Sequence, residues 1–321
     1  MALSLRPADK VELAYVAAVG LTVAYLWRDG INPRWPWIAT AYVLLATCAL
    51  LAPTVRTTGP VGRFLGEWYP LILLPAMYGT IGVVNLYEAH VYDPIIQRVE
   101  LWVFGSQVSY RWVREQPSAL LSWVMQLIYL SYYPVIFAAP IGLWVSGRRD
   151  AARHTIVALM VTLYFCYLIF MLFPVTGPRY AFDLVHNAAT TAAPARLAKW
   201  ILDRGDSWGA AFPSSHVAGY LVAVGMALRK WRRFGRVLLP GAVGLVPAVV
   251  YDQCHYAVDS VAGVIVAAVV LIVVPRWLEA RGGTGRPVAS VAGVAGVAGM
   301  AGVPGASDRR RAEGRTPGGV Q

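Results

Sequence analysis

Charge is scarce in this chain. Of its 321 residues only 14% are Asp, Glu, Lys or Arg, while 57% are hydrophobic, and the mean hydropathy is +0.53. Soluble proteins average about 25% charged residues, and a water-soluble fold of this length cannot hide so much apolar surface. The scarcity excludes a disordered chain and an ordinary cytosolic enzyme, and leaves an integral membrane protein. Cysteine is sparse too. Cys48, Cys166 and Cys254 lie far apart, two of them inside apolar runs, and no CxxC occurs, so neither a disulfide scaffold nor a zinc site is expected. Acidic residues never gather into a DxD or a dense carboxylate cluster that would hold magnesium. The expected cofactor and metal content is therefore none. No soluble second domain and no internal repeat of obvious period is legible.

What the chain has is long apolar runs. A bilayer core asks for roughly 20 apolar residues per helix. About eight runs qualify by that rule: 11–27, 37–53, 67–88, 118–145, 154–174, 212–229, 236–253 and 256–275. Glu12 opens the first run and no A-x-A site follows it, so a cleaved signal peptide is not expected. The net charge of +11 is carried by short loops, which reads as membrane sidedness rather than nucleic-acid binding. Arg6, Lys10, Arg56, Arg63, Arg148, Arg149, Arg153, Arg229, Lys230, Arg232, Arg233, Arg236, Arg276 and Arg281 all fall on one side of an eight-span count. The positive-inside rule makes that side cytoplasmic, together with both termini. The loops 89–117 and 175–211 and the turn 253–256 then face outward.

The stretch 89–117 is too polar to span. Ile95, Ile96, Val99, Trp102 and Val103 recur at helical spacing, so an amphipathic helix in the outer interface is expected. Trp27, Trp35, Trp37, Trp68 and Trp102 fit an interfacial aromatic belt. From about 282 the chain repeats Gly, Ala and Val and then turns polar, with Arg309, Arg310 and Arg311. No periodic face is left to pack, so this tail reads as disordered. The expected organisation is N-terminal spans over 1–65, a catalytic membrane domain over 66–280 and the tail over 281–321. The abundance of Arg, Ala, Gly and Val fits a GC-rich bacterial coding sequence, and hence a bacterial cell membrane.

Polar groups beside a membrane span are costly and need a reason. Three segments at outward span ends stand out: Phe173 to Arg179, Phe212 to His216, and His255 to Asp259. Similar spacing separates them along the chain, so they can converge on one pocket. His255 and Asp259, at i and i+4, share a helix face. A carboxylate there can take the proton of one ring nitrogen and leave the other as a lone pair, preparing a nucleophile or base. A polar pair bridging two helices is the plainer alternative. Pro213, Ser214 and Ser215 suit a helix start, whose free N–H groups and dipole attract an anion. His216 at that start can protonate a leaving oxygen. Taken alone, the same residues are an ordinary N-cap with an interfacial histidine. Arg179 offers the planar donors that phosphate prefers, or snorkels to headgroups. Together, the arginine, the serine-histidine helix start and the histidine-aspartate pair form a set for phosphoryl transfer without metal.

The sequences GPR at 177–179, FPSSHVAG at 212–219 and CHYAVDSVAG at 254–263 resemble the type 2 phosphatidic acid phosphatase superfamily. Within it they are similar to the branch that includes fungal inositol phosphorylceramide synthases. Weaker similarity runs through Tyr92-Asp93-Pro94, Leu101 to Gly105 and Tyr129 to Tyr133, and the whole covers roughly 66–275. The resemblance implies an all-α polytopic bundle: a six-helix catalytic core, here with about two added N-terminal spans. It implies that His255 attacks phosphorus, Asp259 orients it and His216 protonates the leaving group. Arg179, with the backbone at Ser214 and Ser215, would hold the phosphate. The implied activity is hydrolysis of a lipid phosphomonoester or diphosphate through a phosphohistidine at the outer face. The rivals are transfer to an acceptor alcohol and a non-enzymatic membrane role. The implied partners are a lipid phosphate and the bilayer. Two charges usual in the superfamily are replaced by Leu172 and Val249, which fits the synthase-like branch. Lys199 and Arg204 are candidates to compensate. His90 and Asp93 lie near the outer face, where they border the pocket or, the better reading, serve interfacial packing, and neither His154 nor His186 has an identifiable partner.

Overall fold

A computed structural model describes residues 4–85 and 90–282. The described residues form thirteen helices and a single isolated parallel bridge, Val175 to Ala210. The helices are α1 Pro7–Leu26, α2 Trp35–Val55, α3 Pro60–Asn85, α4 Asp93–Phe104, α5 Val108–Glu115, α6 Ala119–Leu130, α7 Tyr132–Val145, α8 Arg149–Leu172, α9 Pro178–Ala181, α10 Ala193–Gly205, α11 Ser215–Lys230, α12 Arg232–Tyr251 and α13 Ala257–Gly282. This is the expected all-α bundle. The tail expectation lies outside the described residues.

Helices occupy all eight expected span positions, but they are not eight equal spans. Among the described residues α2, α8, α12 and α13 are each long and apolar enough to cross a membrane, and α6 with α7 qualifies as one broken span. The 16 residues of α11 rise about 24 Å, short of the roughly 30 Å apolar core. α1 is weakened as a span by Asp9 and Glu12, both buried. The run 118–145 bends by 42° at Ser131. Pro134 causes the break: it has no N–H to continue the ladder and its ring crowds the carbonyl of Leu130. The expected single helix over 89–117 is likewise two, because the chain leaves α4 through Gly105 at φ 68°, a left-handed stop that glycine adopts freely.

α8 is the hub, packed on α1, α3, α7 and α11, while α11 also packs on α7 and α12. Its core residues, among them Leu159, Met160, Cys166 and Phe170, are fully enclosed. By contrast α13 exposes Val261, Ile265, Val269, Ile272 and Val273, and α2 exposes Val43, Leu44, Leu50 and Leu51. Continuous apolar faces of this kind belong against lipid. Trp35, Trp37 and Trp102 are exposed as a belt requires, whereas Trp68 is buried against Trp144 and is a core residue instead.

The basic turns gather at one end. Arg6 and Arg153 both bind Glu67, Asp9 takes Arg56 through two bonds of 2.7 and 2.6 Å, and Arg148 lies over the Trp231 ring. These contacts tie the starts of α1, α3 and α8 to the α11–α12 turn. Helix direction puts the end of α8, the start of α11 and the α12–α13 turn at the opposite end, where the three polar segments lie.

Candidate active site

Distant loops are laced together before any functional side chain is placed. Leaving α8, residues 173–177 run beside 207–211: Val175 N donates to Gly209 O at 3.1 Å and Ala211 N to Val175 O at 2.9 Å. Asn85, buried at the end of α3, donates to Phe170 O and Trp208 O. Gly177 sits at φ 88°, and a Cβ there would stand 3.0 Å from Cys254 O and 3.1 Å from Ala211 Cβ. Glycine is needed both for the dihedral and for the close approach of the His255 loop.

α4 clamps the same loops from outside. Asp93, nearly fully buried, accepts from Thr176 N at 2.8 Å, Gly177 N at 2.9 Å and Tyr256 Oη at 3.0 Å. Glu100 accepts from Ala257 N at 3.1 Å and Ser109 N at 3.0 Å, and burial pushes its carboxyl above the ordinary range. Of the two readings open for Asp93 from sequence, bordering the pocket and interfacial packing, the contacts favour the first, and nothing in the sequence singles out Glu100. The Tyr92-Asp93-Pro94 similarity was the available signal.

The two histidines meet. His216 Nδ1 and His255 Nε2 are 3.3 Å apart, and His255 Nδ1 lies 2.8 Å from Ala211 O. A carbonyl only accepts, so Nδ1 of His255 carries the proton and Nε2 presents a lone pair. His216 Nδ1 is then the donor to that lone pair, and its Nε2 accepts from Tyr129 Oη at 3.4 Å. A directional chain of bonds results: Tyr129, His216, His255, Ala211. Tyr132 and Tyr133 complete the aromatic wall around His216, because the break after Leu130 turns both toward it. Burial depresses the His255 pKa to about 4, so the ring is neutral at pH 7.

Asp259 stands differently from expectation. Its Oδ2 is 3.6 Å from His255 Nδ1 and accepts instead from Tyr256 N at 2.8 Å. Its Oδ1 is buried without a partner. The carboxylate backs the imidazole, but the Ala211 carbonyl holds the proton, because the 207–211 loop delivers an acceptor that i,i+4 spacing cannot reveal. The serines also differ. Ser214 Oγ caps α11 by accepting from Val217 N, and the Ser214 amide donates to Asp259 O at 3.0 Å, so that amide is already used. Ser215 lines the apolar chamber described below. The open first-turn amides of α11 are those of Ser215 and His216.

Arg179 shares a cavity of about 20 Å³ with Thr176, Asp206, His216 and His255. One of its amino groups pairs with Asp203 and Nη1 is buried without a partner. Lys199 also binds Asp203, at 2.8 Å, and these hydrogen-bonded cations lower the Asp203 pKa. Lys199 reaches a neighbouring chamber rather than this cavity. Arg204 does neither: it bonds Trp200 O over the Trp200 ring and lines none of these cavities. Of the two substituted positions, Leu172 is exposed and Val249 is fully buried, its carbonyl accepting from the Cys254 and His255 amides. His90 is exposed, beside Tyr92. No group of three His, Cys, Asp or Glu arranged to hold a metal occurs among the described residues.

Behind His216 lies an apolar chamber of about 320 Å³, walled by Leu71, Leu74, Tyr78, Ile136, Phe137 and Leu163 among others. Asp206 stands at its junction with the small cavity, accepting from Tyr78 Oη at 2.8 Å. An apolar space that ends on a histidine pair, an arginine and a helix start suits a ligand with one greasy and one anionic end.

Fold and site thus define a polytopic helical membrane protein with a histidine-arginine centre at one end of the bundle. The chain belongs to the PAP2 superfamily, whose family model matches residues 95–273. That membership points to phosphatase- or phosphotransferase-type chemistry. No curated protein and no solved structure matches the chain.

Proposed function

We propose that this protein is a metal-independent lipid-phosphate phosphatase or phosphotransferase working through a phosphohistidine on His255. The observation that carries the reading is the facing pair His216 and His255 on a cavity shared with Arg179. Phosphate entry replaces the histidine contact. Nε2 of His255 attacks phosphorus, while His216, made imidazolium by a proton taken up with the anionic phosphate, passes its Nδ1 proton to the leaving alcohol oxygen, whose chain lies in the apolar chamber. As His255 gains positive charge, its Nδ1–H stays donated to Ala211 O. Asp259, with one oxygen unpartnered, supplies the nearby negative charge. Arg179 and the first-turn amides of α11 stabilise the equatorial oxygens. His216, now neutral, takes the proton of the second nucleophile, and release of phosphate or of a new ester returns His255 to its neutral form and leaves the proton on His216.

The gathered basic turns support a cytoplasmic assignment for that end and an outer-leaflet site. An impermeant thiol reagent on intact cells should label a cysteine at 200 and not one at 231, in a cysteine-free background. Leu172 and Val249 support the synthase-like branch, since neither place holds the usual charge. The deciding experiment traps a radiolabelled phosphoenzyme from a labelled lipid phosphate, in EDTA. Wild type should label and His255→Ala should not. His216→Ala should lose far less first-step rate on a p-nitrophenyl ester than on a lipid phosphate. Label that persists in His255→Ala removes the assignment, and label abolished by EDTA removes the metal-free mechanism.

A further inference from the structure

The two ring nitrogens of His216 face different neighbours. Nδ1 points at His255 Nε2, where the phosphorus would sit. Nε2 points the other way, at Tyr129 Oη, 3.4 Å off. In the reading proposed above, Nε2 changes character during the cycle. At rest Nδ1 holds the proton and Nε2 is a lone pair. The proton taken up with the phosphate enters at Nε2, because Nδ1 is already occupied. Nε2 then remains an N–H while Nδ1 gives its proton to the leaving oxygen and takes another from the second nucleophile. The group facing Nε2 must therefore donate to it at rest and accept from it during the reaction.

Few side chains do both. A carbonyl or carboxylate only accepts, an ammonium or guanidinium only donates, and a hydroxyl does either. Tyr129 supplies a hydroxyl and is itself fully enclosed. A second hydroxyl lets it reverse: Tyr133 Oη lies 3.4 Å from Tyr129 Oη, with either atom able to donate. When Tyr129 donates to Nε2 it accepts from Tyr133, and when it accepts from an Nε2–H it donates to Tyr133. The buried hydroxyl is bonded in both directions, as a buried polar group requires.

The break between α6 and α7 holds this pair against the right helix. Tyr129 and Tyr133 straddle Ser131, whose Oγ donates to Ile128 O at 2.6 Å and lies 3.1 Å from Tyr220 Oη. Tyr220 stands one helical turn after His216 on α11, on the same face, so the break is tied to the helix that carries His216. Tyr129 lines none of the three cavities at the site, and so it meets no substrate.

We propose that Tyr129 is the positioning residue of His216: its reversible hydroxyl, backed by Tyr133, holds the ring in both its neutral and its charged form. The inference rests on the phosphoryl-transfer reading and adds to it a residue that acts only through His216. A carboxylate in the same place would favour the charged ring throughout. A hydroxyl bonds to either form, which leaves His216 able to act first as acid and then as base.

The test uses Tyr129→Phe in the full chain in detergent, which keeps the ring and removes the hydroxyl; thermal unfolding confirms the fold. Loss of the acceptor for a charged ring N–H should lower kcat on a lipid phosphate about tenfold or more, with KM nearly unchanged. The first step on a p-nitrophenyl ester should fall much less, since that leaving group needs little protonation. In a His216→Ala background the same substitution should cost nothing further. Undiminished kcat in Tyr129→Phe overturns the inference, as does an equal loss on both esters or a loss that persists without His216. The contact is also read without turnover, from histidine ¹⁵N resonances. The unprotonated nitrogen of His216, identified by its absence in His216→Ala, should shift when the hydroxyl is removed, and an unmoved resonance overturns the inference. Phosphoenzyme formation by the wild type reads the underlying mechanism separately: a shifted resonance with no phosphoenzyme keeps the contact and removes the histidine mechanism together with the role of Tyr129 in it.

Discussion

Replacing Asp93 with alanine removes the acceptor for three donors on two loops, the amides of Thr176 and Gly177 and the hydroxyl of Tyr256. Hydrogen bonds to a charged group contribute about 1.5–3 kcal/mol each. The two amides alone therefore amount to about 3–6 kcal/mol gross, and water entering at the interface reduces the net loss to about 3 kcal/mol. Thr176 and Gly177 precede Arg179 by two or three residues, and Tyr256 adjoins His255, so the lost bonds misplace both partners of the phosphate. A displacement of about 1 Å at a reacting centre costs about 100-fold in rate. Asp93→Ala should therefore unfold at lower temperature in detergent and lose about 100-fold in kcat/KM on a lipid phosphate. Asp93→Asn keeps one acceptor oxygen and should fall between. Active sites are counted by phosphoenzyme burst, so that the rate is expressed per folded molecule. If Asp93→Ala unfolds at the wild-type temperature with wild-type turnover, the clamp is not what positions the loops. If it unfolds early but each counted site turns over normally, the residue is structural only.

Other expectations follow from the same geometry. Gly177→Ala forces a side chain onto φ 88° and to 3.0 Å from Cys254 O; the dihedral alone costs about 1–2 kcal/mol, and near-normal activity would show that the loops are not in close contact. Because burial lowers the His255 pKa to about 4, kcat/KM should hold steady as pH falls below 6.5 and drop only near 4. The same shift makes the unfolded chain take up this proton first, so stability declines from about pH 6.5 toward 4; an acid limb at the ordinary histidine value contradicts the burial argument. Arg179→Ala should cost about 2–4 kcal/mol of transition-state binding, by analogy with lost oxyanion donors, and Arg179→Lys should recover only part of it; normal kcat/KM in Arg179→Ala would remove the guanidinium from the phosphate site. Asp9→Ala strands the buried Arg56 guanidinium, so thermal unfolding should register a loss of about 3–5 kcal/mol; an unchanged transition would mean that Arg56 finds water.

Much of this molecule is legible in local properties of the chain. Hydropathy marks where helices lie because membrane burial is a sum over consecutive residues. Glycine and proline mark their ends because they act through their own dihedrals, and Gly105 and Pro134 break two stretches that a hydropathy window reads as continuous. Arginine placement orders the turns, and Gly-Pro-Arg, Ser-Ser-His and His-x-x-x-Asp show which residues to examine. Partnership is different, since a buried polar atom bonds to whatever distant segment the fold brings within 3 Å. Only the tertiary structure gives the His255 proton to Ala211 O instead of Asp259, spends the Ser214 amide on Asp259 O, pairs Arg179 with Asp203, and leaves Arg204 outside on Trp200. It also makes Asp93 the acceptor for one loop 83 and 84 residues further along the chain and for Tyr256, 163 residues further. The cavities are emptiness between α3, α6, α8, α10 and α11, a property of packing that belongs to no single segment. Composition and periodicity therefore determine that this is a helical membrane chain with a histidine centre, while the hydrogen-bond directions and the cavities beside that centre exist only once the helices have met.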